Sequence, residues 1–222
     1  MAIDRSRARA LANAAVQRGD AVGWFEELYK EAQAGTTVVP WADRVANPQV
    51  VEWLDRERPP GGLALDVGCG LGDNAIALAE RGFFVDAFDV SATAVATAKQ
   101  RFADHPATSR ITWHVADLLL LPSVFSNYDL IVECYTLQVL PPDPRHRAAA
   151  ILSTRLALGG ILLVVARGRQ ADEPEGQMPW PLTVEELHAV TTPNVTLTSL
   201  EDLFDDEQPP VRRLRATFRR VA

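Results

Sequence analysis

The stretch Leu65-Asp-Val-Gly-Cys-Gly-Leu-Gly72 contains a short apolar strand followed directly by a turn with three glycines. The next segment, Asp73 to Arg81, has the apolar spacing of a helix, and Gly82 ends it. Glycines let the backbone approach a ligand without a Cβ clash, and a helix N-terminus presents free N–H groups. The stretch therefore predicts a strand, a turn and a helix that bind a ligand at the turn.

Strands and helices are predicted to alternate through most of the chain after this point. The predicted strands are Leu63–Val67, Phe83–Phe88, Ile111–Ala116, Tyr128–Val132, Ile161–Ala166, Val195–Leu200 and Arg212–Arg220. The predicted helices are Asp73–Arg81, a helix capped by Ser91 that runs to Phe102, Arg145–Leu158 closed by Gly159-Gly160, and Val184–Val190. Alternation predicts an α/β fold with a doubly wound, mostly parallel sheet, and the last two consecutive strands predict an antiparallel pair joined by an acidic loop at Asp202–Pro210.

The first 62 residues do not follow this alternation. Asp4 to Gln33 has loose helical spacing broken by Gly19 and Gly23, and a short helical stretch runs from Pro48 to Asp55. A hydrophilic hinge, Arg56 to Gly62, precedes the first predicted strand. We therefore divide the chain into an N-terminal helical segment, residues 1–62, and a core, residues 63–222.

Two acidic residues indicate that the ligand of the glycine turn is a nucleoside. Asp89 ends the second predicted strand 17 positions after Gly72, where a carboxylate can accept from both hydroxyls of a ribose. Asp117 follows the third strand, and we expect it near the base. The carboxyl ends of neighbouring parallel strands form one crevice, so Gly68 to Gly72, Asp89 and Asp117 are predicted to converge. A dinucleotide fingerprint would need its third glycine at position 73, which is Asp73 here, and this disfavours a nicotinamide-dependent oxidoreductase.

Composition is that of an ordinary globular protein, with 47% hydrophobic and 23% charged residues among 222. Its net charge of −7 argues against nucleic acid as a partner. Its apolar runs are too short for a membrane span, and two cysteines cannot form a dense disulfide framework. We expect a cytoplasmic protein that acts on a small molecule, with no membrane partner. No histidine has metal-ligand spacing, so no metal site is expected.

These residues resemble the class I S-adenosylmethionine-dependent methyltransferases, which have a seven-stranded Rossmann-like sheet. Asp66-Val-Gly-Cys-Gly-Leu-Gly72 resembles their first motif, Asp89 their ribose-binding acid, and Asp117-Leu118 the segment that flanks the adenine. The resemblance covers the chain from about Leu63 to the C-terminus and implies S-adenosylmethionine as cofactor. The residues expected to bind it are Trp24, Trp41, Asp66, Gly68, Cys69, Gly70, Gly72, Asp89, Val90, Ser91, Asp117, Leu118, Glu133 and Cys134.

A narrower resemblance is to the branch with thiopurine, thiol and halide methyltransferases and tellurite-resistance methyltransferases. It rests on Trp24-Phe-Glu-Glu-Leu-Tyr29, Pro40-Trp41, Asn47-Pro48, Tyr135-Thr136, Leu140-Pro-Pro142, Arg145 and Gly176 to Leu187. The resemblance implies that the N-terminal segment folds over the cofactor, with Trp24 and Trp41 covering it. The chain departs from the branch at Ala42-Asp43 and at Glu133-Cys134, where a single Asp is typical of each position.

The resemblance implies methyl transfer, which mainly requires alignment of the acceptor and exclusion of water. We expect Glu133 and Tyr135, just past the fourth strand, to border the transferred methyl group as candidate catalytic residues. Either residue can position a substrate or move a proton, and positioning is favoured. A thiol or another soft nucleophile is the favoured acceptor on resemblance alone. The alternatives are O- or N-methylation of a secondary metabolite and a non-catalytic protein that binds S-adenosylmethionine.

Overall fold

The computed structural model describes residues 5–222 and contains one seven-stranded sheet. Its strands are β1 (Leu63–Val67), β2 (Phe84–Asp89), β3 (Ile111–Val115), β4 (Tyr128–Cys134), β5 (Leu156–Arg167), β6 (Val195–Phe204) and β7 (Arg212–Arg220). The order across the sheet is β3-β2-β1-β4-β5-β7-β6, and only β7 runs antiparallel to its neighbours. The predicted fold class is confirmed, including the antiparallel pair at the C-terminus.

Helices cover both faces of this sheet, as the two separate apolar clusters beside it require. They are α1 (Ser6–Gln17), α2 (Trp24–Gln33), α3 (Pro48–Glu57), α4 (Asp73–Glu80), α5 (Ala92–Arg101), α6 (Pro142–Arg155) and α7 (Val184–Leu187). Short 3-10 turns lie at Pro106–Arg110, Leu118–Leu120, Leu137–Val139 and His188–Val190. None of the helices described within residues 5–222 has the length and hydropathy needed to cross a membrane.

The boundary between α6 and β5 differs from the prediction. Gly159-Gly160 does not close a helix that reaches Leu158; α6 ends at Arg155, and the glycine pair lies inside β5. The pairing of β4 with β5 shifts register here, between Tyr128 and Leu130. A Cβ on Gly160 would lie 2.6 Å from the carbonyl oxygen of Tyr128, so the irregular strand needs a glycine at this position.

Three other boundaries also differ from prediction. The predicted N-terminal helix is two helices, because Asp20 accepts backbone hydrogen bonds from Val22 and Gly23 and so turns the chain between them. Asp4, where that helix was expected to begin, lies outside the described residues. The fourth strand continues to Cys134, and β6 extends to Phe204 into the region expected to be an acidic loop. In both strands, pairing with a neighbour extends them beyond the apolar residues visible in the sequence.

The N-terminal segment is tied to the core at two places. Helices α1 and α2 pack together in an apolar cluster that also contains Val139 and Met178 from the core. Helix α3 lies against β7, where the Trp53 indole N–H donates to the Thr217 hydroxyl at 3.1 Å and Arg215 donates to the Gln49 carbonyl at 2.9 Å. These contacts hold α1, α2 and α3 against the core.

Candidate functional site

The glycine turn after β1 is held in a conformation that suits glycine, with positive φ at Gly68, Gly70 and Gly72. All three positions also lack space for a side chain, and a Cβ on Gly68 would lie 2.4 Å from the Thr136 hydroxyl. A Cβ on Gly70 would lie 2.9 Å from the Tyr29 hydroxyl, and one on Gly72 would lie 2.5 Å from the Trp113 ring. The turn is therefore packed against the N-terminal segment on one side and against β3 on the other.

Asp89, at the end of β2, connects this turn to the start of α5. Its carboxylate accepts from the Gly70 N–H at 2.9 Å and from the Ser91 N–H at 2.8 Å. Burial raises the pKa of Asp89 to about 6, although these backbone hydrogen bonds oppose the rise. Each carboxylate oxygen has a second acceptor position, so the side chain retains capacity for ribose hydroxyls.

Asp66, inside β1, lies behind the turn. It accepts a backbone hydrogen bond from Ala75, and its Oδ2 atom has no hydrogen-bond partner. Burial, together with the nearby charge of Asp89, raises the pKa of Asp66 to about 8. At neutral pH the carboxyl is therefore mostly protonated, which suits a side chain that supports α4 from within the sheet.

A cavity of about 770 Å³ opens at the carboxyl ends of the parallel strands. The candidate site residues that line it are Trp41, Gly68, Cys69, Gly70, Asp89, Val90, Asp117, Leu118, Cys134 and Tyr135. Those that do not line it are Trp24, Asp66, Gly72, Ser91 and Glu133. The structure thus brings the glycine turn, the two acids Asp89 and Asp117, and the end of β4 together at one cavity.

Helix α2 presents a different aromatic residue to the cavity from the one expected. Trp24 is buried in the N-terminal cluster at 2% exposure, and the neighbouring Phe25 and Tyr29 line the cavity with Trp41. The Trp41 indole N–H donates to the Tyr29 hydroxyl at 3.2 Å, and Trp41 packs edge-on against Phe25. Consecutive helix residues point about 100° apart, so a motif alone does not tell which aromatic residue faces the site.

Glu26, on the same helix, is a residue that sequence reasoning missed. Its carboxylate accepts from the Ser91 hydroxyl at 2.6 Å, the Thr93 hydroxyl at 2.9 Å and the Thr93 N–H at 3.1 Å. Partial burial alone would raise the pKa of Glu26, but these hydrogen bonds outweigh it and lower that pKa to about 2. Its only sequence signal was an acid in the first turn of α2. Glu26 also pairs with Lys30 on the same helix at 3.2 Å, but Ser91 and Thr93 lie more than 60 positions away.

Glu133, near the end of β4, is turned away from the cavity. Its Oε1 atom accepts from the N–H groups of Thr136 at 2.6 Å and Leu137 at 2.8 Å, while Oε2 is buried without a partner. Burial raises the pKa of Glu133 to about 7 despite these hydrogen bonds. The carboxylate fixes the turn that carries Tyr135 and Thr136, and its place beside the transferred methyl group stays a prediction.

Tyr135 lines the cavity in a conformation unusual for a residue with a side chain, with φ at +68°. The Asn47 side chain hydrogen-bonds to it, and the Arg213 guanidinium lies 5.2 Å from its ring centre. Burial raises the pKa of Tyr135 to about 12, so the hydroxyl stays protonated at neutral pH. Tyr135 can therefore contact and orient a substrate through its ring or as a hydrogen-bond donor.

The two cysteines, Cys69 and Cys134, are free thiols that line the cavity. Burial raises the pKa of both thiols well above the usual value, and the Asn74 side chain hydrogen-bonds to Cys134. Thiols with such values remain protonated and are poor nucleophiles. In the described part of the chain, no group of three or more His, Cys, Asp or Glu side chains is placed to bind a metal ion.

The cavity fits an adenosine-containing cofactor with an electron-poor sulfur. Its volume is within the range of small-molecule sites, Gly68 and Gly70 line it without side chains, and Asp89 has acceptor capacity for a ribose. Aromatic faces from Phe25 and Trp41 line the same space, and such faces attract cations.

Comparisons with known proteins agree with this fit. Residues 64–160 match the family model described as a methyltransferase domain. A 2-heptyl-1-hydroxyquinolin-4(1H)-one methyltransferase of Mycobacteroides abscessus is 25% identical over 69% of this chain and 66% of that protein. Probable thiol methyltransferase 2 of Arabidopsis thaliana is 27% identical over 74% of this chain and 70% of that protein. The chain spans about half to two thirds of the length of the first two curated relatives.

A solved structure shows the same fold. The N-methyltransferase NodS of Bradyrhizobium japonicum, in complex with S-adenosylhomocysteine, superimposes with a TM-score of 0.68 over 88% of this chain and 98% of that chain, at 20% identity. This chain is therefore similar to methyltransferases over residues 64–160, and it has the fold of a solved N-methyltransferase that binds S-adenosylhomocysteine.

Proposed function

We propose that this protein transfers the methyl group of S-adenosylmethionine to a small-molecule acceptor, and that the favoured acceptor is a thiol or another soft nucleophile. The observation that carries the proposal is the convergence of the glycine turn, Asp89 and Asp117 on the cavity that Tyr135 also lines. A methyl donor and an acceptor then share one enclosed space. Because the sulfur of S-adenosylmethionine is a good leaving group, methyl transfer mainly requires that donor and acceptor are aligned.

The protein's contribution to the reaction is positioning. S-adenosylmethionine supplies an electrophilic methyl group whose bond to sulfur breaks with both electrons moving to that sulfur, while an acceptor lone pair forms the new bond. Asp89 and the turn at Gly70 hold the nucleoside, and Phe25 and Trp41 exclude water. Tyr135, fixed by Asn47 and by the turn that Glu133 holds, orients the acceptor.

The choice of a soft nucleophile rests on the side chains at the end of β4. Tyr135 and Cys134 both have raised pKa values and stay protonated, and Glu133 is turned toward backbone N–H groups. A thiol needs no strong base because a few per cent is already thiolate near neutral pH, and its proton goes to solvent. The Arabidopsis relative named a probable thiol methyltransferase supports the same choice.

O-methylation is the second candidate. The relative from Mycobacteroides abscessus is named as a methyltransferase of a hydroxyquinolone, whose N-hydroxyl group is acidic for an oxygen acceptor. Such an acceptor also ionises without a strong base. It differs from a thiol in the atom that is methylated, but Tyr135 would orient either acceptor in the same way.

The N-terminal segment, residues 1–62, is proposed as the cover of the cofactor site. Helix α2 contributes Phe25 and Tyr29 to the cavity wall, and Glu26 fastens that helix to the first turn of α5. Because Ser91 also donates its N–H to Asp89, the cover and the ribose-binding acid share a residue.

Label transfer from methyl-labelled S-adenosylmethionine tests the function directly. The purified protein is given thiols, a 1-hydroxyquinolone, phenols and amines, and the products are separated by mass. We expect labelled thioethers as the main products. Label on the hydroxyquinolone alone would favour the second candidate, and binding of S-adenosylhomocysteine without any transfer to the acceptors would contradict methyl transfer to these classes.

Asp89→Asn is expected to weaken S-adenosylhomocysteine binding about tenfold at pH 7.5, because a neutral amide replaces charge-assisted hydrogen bonds to the ribose. Wild-type affinity should also fall as pH drops through about 6, where Asp89 gains a proton and loses the charge that accepts those bonds. The variant should not show that part of the pH dependence. Calorimetry from pH 5 to 8 measures both effects, with the exposed Asp104→Asn as control; equal affinities would remove Asp89 from the ribose site.

Glu133→Gln is expected to retain methyl transfer within several-fold, because the amide oxygen still accepts from Thr136 and Leu137. Glu133→Ala leaves those two N–H groups without a partner and should cost about 2 kcal/mol of unfolding free energy. Chemical denaturation and initial rates measure the two outcomes. A loss of a hundredfold or more in a well-folded Glu133→Gln protein would indicate proton transfer by this residue instead.

Glu26→Ala is expected to loosen α2, because three hydrogen bonds to a carboxylate are lost. Amide hydrogen exchange in α2 should rise while exchange in β1 stays unchanged, and S-adenosylhomocysteine affinity should fall about tenfold. The matched control is Glu27→Ala on the same helix, whose side chain is 54% exposed. Equal exchange in the two variants would contradict the fastening role.

A further inference from the structure

Arg167, the last residue of β5, lines the cavity and is half-buried. Its backbone N–H donates to the Gln138 side chain at 2.7 Å, which fixes where the side chain starts. Among residues 5–222, the Arg167 guanidinium has no hydrogen bond or ion pair. A guanidinium with five donors and no partner in a largely enclosed cavity is an incomplete arrangement.

Other arginines lie near Arg167, and their like charges make an unpaired guanidinium at this position less favourable. Arg213 is its direct cross-strand neighbour on β7, and Arg5 lines the same cavity. Burial and the like charges of Arg213 and Arg5 lower the pKa of Arg167, although a guanidinium remains protonated at neutral pH. Three arginines, Arg5, Arg167 and Arg213, therefore line this part of the cavity.

The charge of Glu207 acts on Arg167 and opposes the fall of its pKa, but the nearby acids form their ion pairs with Arg213 and not with Arg167. Asp205 and Glu207 on the loop between β6 and β7 both pair with Arg213. Arg9, a further cavity arginine, donates to the Met178 carbonyl at 3.1 Å. Arg213 and Arg9 are thus engaged with groups of the protein, whereas Arg167 has no hydrogen bond or ion pair among residues 5–222.

The position of Arg167 in the sheet indicates which ligand it meets. The glycine turn follows β1 and Asp89 ends β2, whereas Arg167 ends β5 on the other side of β4. At about 4.8 Å per strand spacing, β5 lies about 14 Å from β2. Tyr135, the proposed acceptor contact, follows β4, so Arg167 lies on the acceptor side of the cavity.

We propose that the methyl acceptor carries an anionic group, a carboxylate, and that Arg167 binds it. This proposal rests on the proposed function and names its substrate class. A carboxylate matches the planar guanidinium with two parallel hydrogen bonds. Phe25, Val139 and Met178 line the cavity as well, so the acceptor has an apolar body between the reacting atom and the carboxylate.

The test compares two ligands that differ only in charge, 4-mercaptobenzoate and 4-mercaptobenzamide. Each is titrated by calorimetry into the wild-type protein saturated with S-adenosylhomocysteine, and methyl transfer to each is measured with S-adenosylmethionine. We expect the wild-type protein to bind the carboxylate at least tenfold more tightly than the amide. Arg167→Gln should weaken carboxylate binding at least tenfold and leave amide binding unchanged, whereas Arg167→Lys should restore part of the loss.

The control variant is Arg147→Gln, which removes the same charge from the exposed face of α6. It should behave as wild type toward both ligands. S-adenosylhomocysteine affinity should be the same in wild type and Arg167→Gln.

Three outcomes overturn the proposal. Equal wild-type affinity for carboxylate and amide, or no binding of the carboxylate at all, would show that this cavity does not select an anionic acceptor. A preference that survives in Arg167→Gln would assign it to another residue. Weaker S-adenosylhomocysteine binding in Arg167→Gln would show that the anion is the cofactor's own carboxylate. Failure of the proposed function would instead appear as absence of S-adenosylhomocysteine binding to wild type.

Discussion

Buried carboxylates at the carboxyl ends of β1, β2 and β4 hold the loops that form the cavity. Asp66 accepts from the backbone of Ala75, Asp89 from Gly70 and Ser91, and Glu133 from Thr136 and Leu137. A loop that leaves a buried strand carries N–H groups that have lost their sheet partners, and each must find another acceptor. In this protein acids supply those acceptors, so the cavity has a rigid backbone wall before any ligand binds. The raised pKa values of all three acids follow from the same burial.

The cavity wall is also in contact with a part of the chain that is distant in sequence. Tyr29 reaches the turn at Gly70, Glu26 joins α2 to Ser91 and Thr93, and Asn47 contacts Tyr135. All of these residues precede β1, yet each contacts a loop of the core. Because Ser91 is shared between Glu26 and Asp89, we expect that loosening α2 also loosens Asp89, the proposed ribose-binding acid. Glu26, Ser91 and Asp89 thus form one chain of hydrogen bonds that joins α2 to the glycine turn at Gly70.

The fold and the proposed cofactor side of the site could be predicted from local sequence patterns. The short apolar strand and its glycines lie within eight consecutive residues and predict the ligand-binding turn. The distance in sequence from Gly72 to Asp89 is set by one helix and one strand. Arg167 gave no such signal, because its role depends on the register of β5 against β7 and on acids that already pair with Arg213. The prediction for Gly159-Gly160 was wrong for a related reason. A glycine pair after a helix is typical of a helix C-terminus, but here the pair lies inside β5, where a Cβ on Gly160 would clash with the Tyr128 carbonyl oxygen. Trp24 and Phe25 are adjacent on α2. Because this segment is apolar on more than one side, hydrophobic periodicity does not tell which of the two rings faces the cavity.

This difference between local and distant signals has a physical origin in the two halves of the cavity. The cofactor side is built mostly from backbone groups and from acids that bond to them, and it requires glycine where Tyr29 and Trp113 approach. The acceptor side is built from side chains of β5, β7 and the segment before β1, which meet only after the sheet has formed. Substitution of Arg167 or Phe25 changes the charge or shape of the acceptor space without disturbing Gly70 or Asp89. The same sheet can therefore keep one methyl donor while its acceptor chemistry changes, and for that reason fold similarity at 20% identity does not assign the acceptor.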